Sequence, residues 1–278
     1  MPQTVKVAAV QMDIAIFEKG HNLARIVEFL RAAAQAGAQL IVFPECALTG
    51  YCFASLSEAL PLTETVPGPS TERIAAECRR LSVWAVVGML EHAGEAVFNA
   101  AVLIGPEGVM GCYRKIHLPC LGVDRFVTPG NRPFRVYETP IGRIGVNICY
   151  DAAFPESSRV MALDGADVIV LPTNWPDKAF RVPRYVIPTR AFENRVNYVA
   201  CNRIGTERNT AFLGHSIIVD FQGDVVSAGS PDREEVLCAE LDITGARDKR
   251  IVFVPGEYEM ERFRDRRPTY YRRIVETS

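Results

Sequence analysis

Val5-Lys6-Val7-Ala8-Ala9-Val10-Gln11-Met12 and, further on, Gln39-Leu40-Ile41-Val42-Phe43-Pro44 are the two stretches whose reading decides the fold. Both are short, apolar and rich in β-branched residues, which predicts buried strands rather than helices. Pro44 has no N–H to give to a sheet ladder and marks the end of the second strand. Between the two, Leu23, Ile26, Val27, Leu30 and Ala34 recur at helical spacing as far as Gly37, a residue free to take the left-handed conformation that stops a helix. Strand, helix, strand is the unit of an α/β fold.

The unit returns along the chain. A helix over 71–81 leads to Val83-Trp84-Ala85-Val86-Val87-Gly88, a helix over 156–164 leads to Asp167-Val168-Ile169-Val170-Leu171-Pro172, and a helix over 184–195 leads to Tyr198-Val199-Ala200-Cys201. Two antiparallel hairpins interrupt the series. One joins Ala100–Ile104 to Val109–Arg114 through Gly-Pro-Glu-Gly, and the other joins Ser216–Asp220 to Val225–Ser227 through Gln222-Gly223-Asp224. The strands therefore belong to mixed sheets. With no low-complexity linker and no fixed-period repeat, a single α/β domain is expected. Whether the strands make one sheet or two stacked sheets does not follow from periodicity.

The 278 residues include 31 Lys+Arg against 33 Asp+Glu, a formal net charge of −2 that excludes a general attraction for nucleic acid or anionic lipid. The longest nearly apolar run, Leu81–Leu90, is too short to cross a bilayer, and the opening residues lack the basic and apolar regions of a secretory signal. The expected location is the cytoplasm, with no membrane partner. Eight cysteines show no Cys-x-x-Cys and no close Cys/His pair, so neither a disulfide scaffold nor a metal site is expected. From Pro255 onward the chain is dense in Glu, Arg and Tyr, while Phe253, Tyr258, Phe263, Tyr270 and Tyr271 bring apolar area; this tail is either plain surface or a packing or subunit contact.

In α/β folds ligands bind beyond the carboxyl ends of strands. Glu45 follows Ile41-Val42-Phe43-Pro44, Lys115 follows the strand ending at Tyr113-Arg114, and Cys149 follows Ile144-Gly145-Val146-Asn147-Ile148. Taken singly, each has a plain structural explanation as a capping carboxylate, a solvated lysine or a packed thiol. Together, an acid, a cation and a thiol make an acyl-transfer set: the thiol attacks a carbonyl, the carboxylate moves its proton, and the ammonium holds the oxyanion. No histidine is required, and His21, His92, His117 and His215 show no spacing that nominates a Cys-His pair.

These residues sit in motifs that resemble the nitrilase superfamily of carbon-nitrogen hydrolases, in its amidase-type branch, over almost the whole chain. The motifs are Phe43-Pro44-Glu45 with Leu48-Thr49-Gly50-Tyr51, Tyr113-Arg114-Lys115-Ile116-His117-Leu118, and Gly145-Val146-Asn147-Ile148-Cys149-Tyr150-Asp151 with Phe154-Pro155-Glu156. Leu171-Pro172-Thr173-Asn174-Trp175-Pro176, Arg190-Ala191-Phe192-Glu193-Asn194 and Arg264-Asp265-Arg266-Arg267-Pro268 add to them. The resemblance implies a four-layer αββα sandwich of two stacked mixed sheets, and one hydrolase domain over 1–278. Residues 255–278 would form a C-terminal extension at the contact of a homodimer or higher homo-oligomer. It implies Glu45 as general base, Lys115 as oxyanion stabiliser and Cys149 as nucleophile, acting on a small amide and water with no metal or cofactor.

Many relatives carry a second glutamate in the loop after the lysine. Here the loop has only Asp124, which either replaces it or pairs with Arg125 at the surface. Tyr51, Tyr150, Asn174 and Trp175 are candidate pocket residues, Trp175 equally a packing anchor. Tyr150-Asp151 after the thiol resembles amidases rather than nitrile-hydrolysing branches, and the arginines of carbamoyl hydrolases are missing there. Nitrile and carbamoyl hydrolysis, acyl transfer and a silent binding protein are the competing readings.

Overall fold

The computed structural model describes residues 3–276. In chain order the first half comprises β1 (Thr4–Gln11), α1 (Lys19–Gln35), β2 (Leu40–Val42), the short α2 (Leu56–Ala59), α3 (Pro69–Leu81), β3 (Trp84–Ala93), β4 (Ala96–Gly105) and β5 (Gly108–Arg114). The second comprises β6 (Val136–Thr139), β7 (Gly142–Val146), α4 (Pro155–Leu163), β8 (Val168–Pro172), α5 (Ile187–Asn194), β9 (Asn197–Cys201), the small pair β10 (Thr206–Glu207) and β11 (Thr210–Ala211), β12 (Ile217–Val219) and β13 (Val225–Ala228). The chain then returns through β14 (Glu235–Asp242) and α6 (Ile243–Arg247) to a closing hairpin, β15 (Arg250–Val254) and β16 (Tyr258–Glu261).

Two six-stranded mixed sheets result, in the orders β14-β1-β2-β3-β4-β5 and β13-β12-β9-β8-β7-β6. In each, two parallel pairings are flanked by antiparallel ones. The alternation along β1 explains the stacking. Val5, Val7 and Ala9 join the core shared with the second sheet, whereas Ala8 and Val10 pack with Ile26 and Leu30 of α1 and Ile74 and Cys78 of α3. On the far side, Met161 of α4 and Ile187 and Ala191 of α5 cover the second sheet. The order of layers is αββα, and strands buried on both faces account for their nearly continuous apolar runs.

The elements differ from the sequence expectation at their margins. The strand expected to stop at Gly88 continues to Ala93 and turns back into β4. The helix expected over 184–195 begins as a wide π-type turn over Val182–Val186 and becomes α-helical at Ile187. β6 and β14 were not foreseen; β14 pairs with β1 along its whole length, from Thr4 opposite Asp242 to Gln11 opposite Glu235.

Residue 255 falls in the turn between β15 and β16, inside a C-terminal segment that opens at Arg250. It is fastened to α5 by cations. Arg262 Nη1 donates to the Phe192 carbonyl at 2.6 Å with its guanidinium over the Phe192 ring, and Lys249 Nζ donates to the carbonyls of Asn194 and Arg195. Burial pushes the Lys249 ammonium down to about 8. Residues 277–278 of the expected extension, like 1–2 of the expected domain, lie outside the described residues.

Candidate active site

Each of the three candidate residues leaves the end of a strand. β2 stops before Phe43-Pro44, and the chain turns sharply at Cys46, at φ +48°, with the N–H groups of Thr49 and Gly50 on the Cys46 carbonyl. The turn presses Glu45 against β3 so closely that a Cβ on Gly88 would lie 2.4 Å from the Pro44 carbonyl oxygen and 2.6 Å from Glu45 Cα. Only glycine fits there. Lys115 follows β5 directly, its N–H donating to the Asn99 carbonyl of β4 at 2.8 Å.

Cys149 opens a tight turn between β7 and α4, at φ +46°, a conformation that non-glycine residues adopt rarely and that needs support from its surroundings. Asp151 supplies it. This fully buried carboxylate accepts from the Ile148 N–H at 2.9 Å, the Tyr113 hydroxyl at 2.8 Å and the His117 N–H at 3.2 Å, with His117 Nδ1 at 2.7 Å. The His117 ring stacks on Phe154 at 3.7 Å. His117, two residues from Lys115 in the sequence, is thus a hydrogen-bonded structural side chain.

The charges form one buried ring. Lys115 Nζ donates to Glu45 Oε1 at 2.6 Å and to Asp124 Oδ2 at 2.5 Å. Asn99 Nδ2 donates to Glu45 Oε1 at 2.7 Å and to Asp124 Oδ1 at 2.8 Å, and the Tyr51 hydroxyl donates to Asp124 Oδ2 at 2.7 Å. Asp124 therefore faces inward and does not pair with Arg125. The Lys115 ammonium has three N–H donors, two of which these carboxylates use. Glu45 Oε2 is buried with no hydrogen-bond partner among the described residues.

Electrostatics bind this ring to the thiol. Burial lifts the Cys149 thiol up to about 12; Glu45 adds to that, while Lys115, the Thr173 hydroxyl and the Asn174 N–H oppose it. The sulfur is therefore protonated at neutral pH and needs a base. Burial and then the Asp124 charge outweigh Lys115 and Asn99 to raise Glu45 above the usual carboxylate range. Burial works against the Lys115 charge, yet Glu45 and Asp124 hold the ammonium well above its ordinary value. Three groups that shift one another in this way titrate as a unit.

The other candidates divide. Asn174, fully buried, donates Nδ2 to the Glu45 carbonyl at 2.9 Å and leaves Oδ1 without a partner among the described residues. Tyr51 is fully buried and held on Asp124 rather than presented at an open wall. Trp175 is a packing residue of the inter-sheet core, its backbone N–H donating to Asn202 Oδ1. Tyr150, next to Cys149 in the chain, is 42% exposed and edge-on to Phe154. Cys120, in the loop after Lys115, is exposed. Asn99, which the sequence reading does not single out, bridges Glu45 and Asp124. Among the described residues, no group of three or more His, Cys, Asp or Glu side chains is arranged to hold a metal ion, and no helix is long and apolar enough to cross a membrane.

The carbon-nitrogen hydrolase family model matches residues 6–250. The chain is 40% identical over 268 residues to a protein named nitrilase from Pyrococcus abyssi, covering 96% of this chain and 99% of that one. It is 32% identical to N-carbamoylputrescine amidase from Solanum lycopersicum, covering 91% and 89%. Among solved structures, a mutant of the amidase from Nesterenkonia sp. AN1 with the acetamide moiety of fluoroacetamide covalently added at its active-site cysteine matches with a TM-score of 0.80 at 22% identity, over 97% of this chain and 96% of that chain.

Proposed function

Because the chain belongs to the carbon-nitrogen hydrolase family, we propose that it hydrolyses a small amide through a thioester on Cys149, with Glu45 as the base and Lys115 as the oxyanion's cation. The observation that carries this reading is a buried thiol, its ionisation opposed by burial and by Glu45, in the field of a carboxylate whose second oxygen has no partner among the described residues. Glu45 Oε2 takes the thiol proton as sulfur adds to the amide carbon. The third N–H of Lys115, with the backbone N–H groups around the Cys149 turn, receives the oxyanion.

Collapse of the tetrahedral adduct passes the proton from Glu45 to the leaving nitrogen and releases ammonia or an amine. Glu45 then deprotonates water, which adds to the thioester. Collapse of this second adduct returns the proton to sulfur and frees the carboxylic acid. The sum is amide plus water giving acid plus amine, with the protein unchanged and no metal or cofactor called upon.

Tyr150-Asp151 after the nucleophile favours amides over nitriles, whereas the name of the Pyrococcus abyssi relative favours nitriles. Ammonia release from a panel of short amides, omega-amides, N-carbamoyl amino acids and nitriles separates the two. Amides are expected to turn over fastest; turnover of nitriles alone contradicts the amide reading, and turnover of none contradicts hydrolysis.

We also read the chain as a homo-oligomer of the cytoplasm. The exposed apolar side chains Val160 and Leu163 of α4 and Ile274 and Val275 of the extension line one groove suited to a second copy. The eight free cysteines suit a reducing compartment. Sedimentation at micromolar concentration is expected to give at least a dimer.

A further inference from the structure

Two side chains touch both buried carboxylates of the site, and one of them is uncharged. Lys115 is the first; Asn99, in the middle of β4 and 1% exposed, is the second. We propose that Asn99 is a positioning residue of the hydrolytic site, holding Glu45 by Oε1 so that Oε2 is the oxygen left to exchange protons with Cys149. The inference rests on the amide-hydrolase reading above.

A carboxamide has two N–H donors and one carbonyl acceptor. Nδ2 serves Glu45 and Asp124 on two sides, and Oδ1 faces the Cys46 thiol at 3.6 Å. A reversed amide would set its oxygen against two carboxylates, so this environment fixes its orientation. The backbone carbonyl of the same residue accepts from the Lys115 N–H, so Asn99 braces the base, the second acid and the lysine together.

Without Asn99, Lys115 is the only donor among the described residues shared by the two acids, and their repulsion is less relieved. The Glu45 carboxylate is then free to turn Oε2 onto the ammonium and away from the sulfur. An aspartate at position 99 would bury a third carboxylate, while a leucine keeps the volume and removes every polar contact of the side chain. The titratable groups around Glu45 are Lys115, Asp124, Cys46, Tyr51 and Cys149, none of which Asn99→Leu alters chemically.

The test measures turnover of the best amide and alkylation of Cys149 by 2-bromoacetamide as functions of pH, per active site counted by alkylation, in wild type, Asn99→Leu and Asn99→Gln. Asn99→Leu is expected to lower kcat by about 10²-fold with KM within a few-fold, because misplacement of a reacting group by about 1 Å has that cost. Its acid limb should move to higher pH in both assays, since a donor that favours the charged carboxylate is gone. Asn99→Gln, with the same head group, should recover part of both.

A merely structural asparagine would reduce the folded fraction and leave per-site kcat and the limb where they were; that result overturns the proposal. If Asn99→Leu does not fold, Cys46→Ala takes its place: a smaller fall in kcat with the limb displaced the same way supports the role, and an unmoved limb overturns it. Should the wild type release ammonia from no amide, the hydrolase reading fails, and the alkylation profiles still decide whether Asn99 governs the thiol's base.

Discussion

The two sheets are built alike and charged differently. Read from β14 to β5 and from β6 to β13, both run antiparallel, parallel, parallel, antiparallel, antiparallel, so the halves repeat one topology. After β2 comes Glu45; after its counterpart β8 come Thr173 and Asn174. After β5 comes Lys115; after its counterpart β13 comes Gly229. The first half thus holds the base and the ammonium, closed into a ring by Asp124 and Asn99, and the second supplies the thiol and its neutral neighbours. Burying opposite charges in the same half lets each offset the other's desolvation before the thiol meets them. The face between the sheets then has only to bring sulfur to an already organised acid.

This division of labour predicts an ordered set of losses. Cys149→Ala should lower amide turnover by more than about 10⁴-fold, leaving circular dichroism and Tm near wild type, because the second half contributes a nucleophile and little else to the ring. Retained turnover would remove the thiol from the chemistry. Glu45→Gln should cost about 10²- to 10⁴-fold in kcat/KM and abolish the acid limb of the pH profile. In wild type that limb should lie above the ordinary glutamate range, activity rising with pH as Glu45 loses its proton, since burial and Asp124 outweigh Lys115 and Asn99.

Asp124→Asn distinguishes the ring's members by sign. It should lower kcat by about 10²-fold through a displaced lysine. It should also move the acid limb to lower pH, because a negative charge that raises Glu45 has gone, whereas Asn99→Leu moves it up. Gly88→Ala should act on the first half alone. The added Cβ meets the Glu45 turn and is expected to cost about 1–3 kcal/mol of stability, read as a lower urea midpoint, with kcat reduced less than in the ring variants.

How much of this was legible in the sequence varies with how local the cause is. The strands around Val7, Ile41 and Val170 were plain because sheets covered on both faces demand unbroken apolar runs, and helix α1 because its apolar stripe stops at Gly37. β14 was hidden. Its partner β1 lies at the other end of the chain, and Glu235, Glu240 and Asp242 at this sheet edge obscure the alternation of Leu237 and Leu241. The topological repeat was hidden as well, since the elements of the halves differ in length and their loops in content.

At the site, Glu45, Lys115 and Cys149 were legible as chemistry-bearing residues at strand ends. Asp124 was legible only as an acid in the right loop; its inward direction depends on the turn over Gly122–Arg125, which fixes Gly122 at φ +49° against the Tyr51 ring. Asn99 carried one signal that went unused. A single amide inside Val97-Phe98-Asn99-Ala100-Ala101-Val102 is buried if the strand is, and a buried amide must find partners. Which partners depends on β2 and β5, the neighbours of that hairpin, and those are tertiary facts.

The account turns on whether charges of the first half govern a thiol of the second. The direct measurement is the rate of 2-bromoacetamide addition to wild type and Glu45→Gln across pH, with the adduct mapped by mass spectrometry. One adduct at Cys149, formed along the same acid limb as turnover and about 10²-fold more slowly in Glu45→Gln, is the result predicted. Equal rates in the two proteins, or addition at Cys120 or Cys46 in its place, would contradict it.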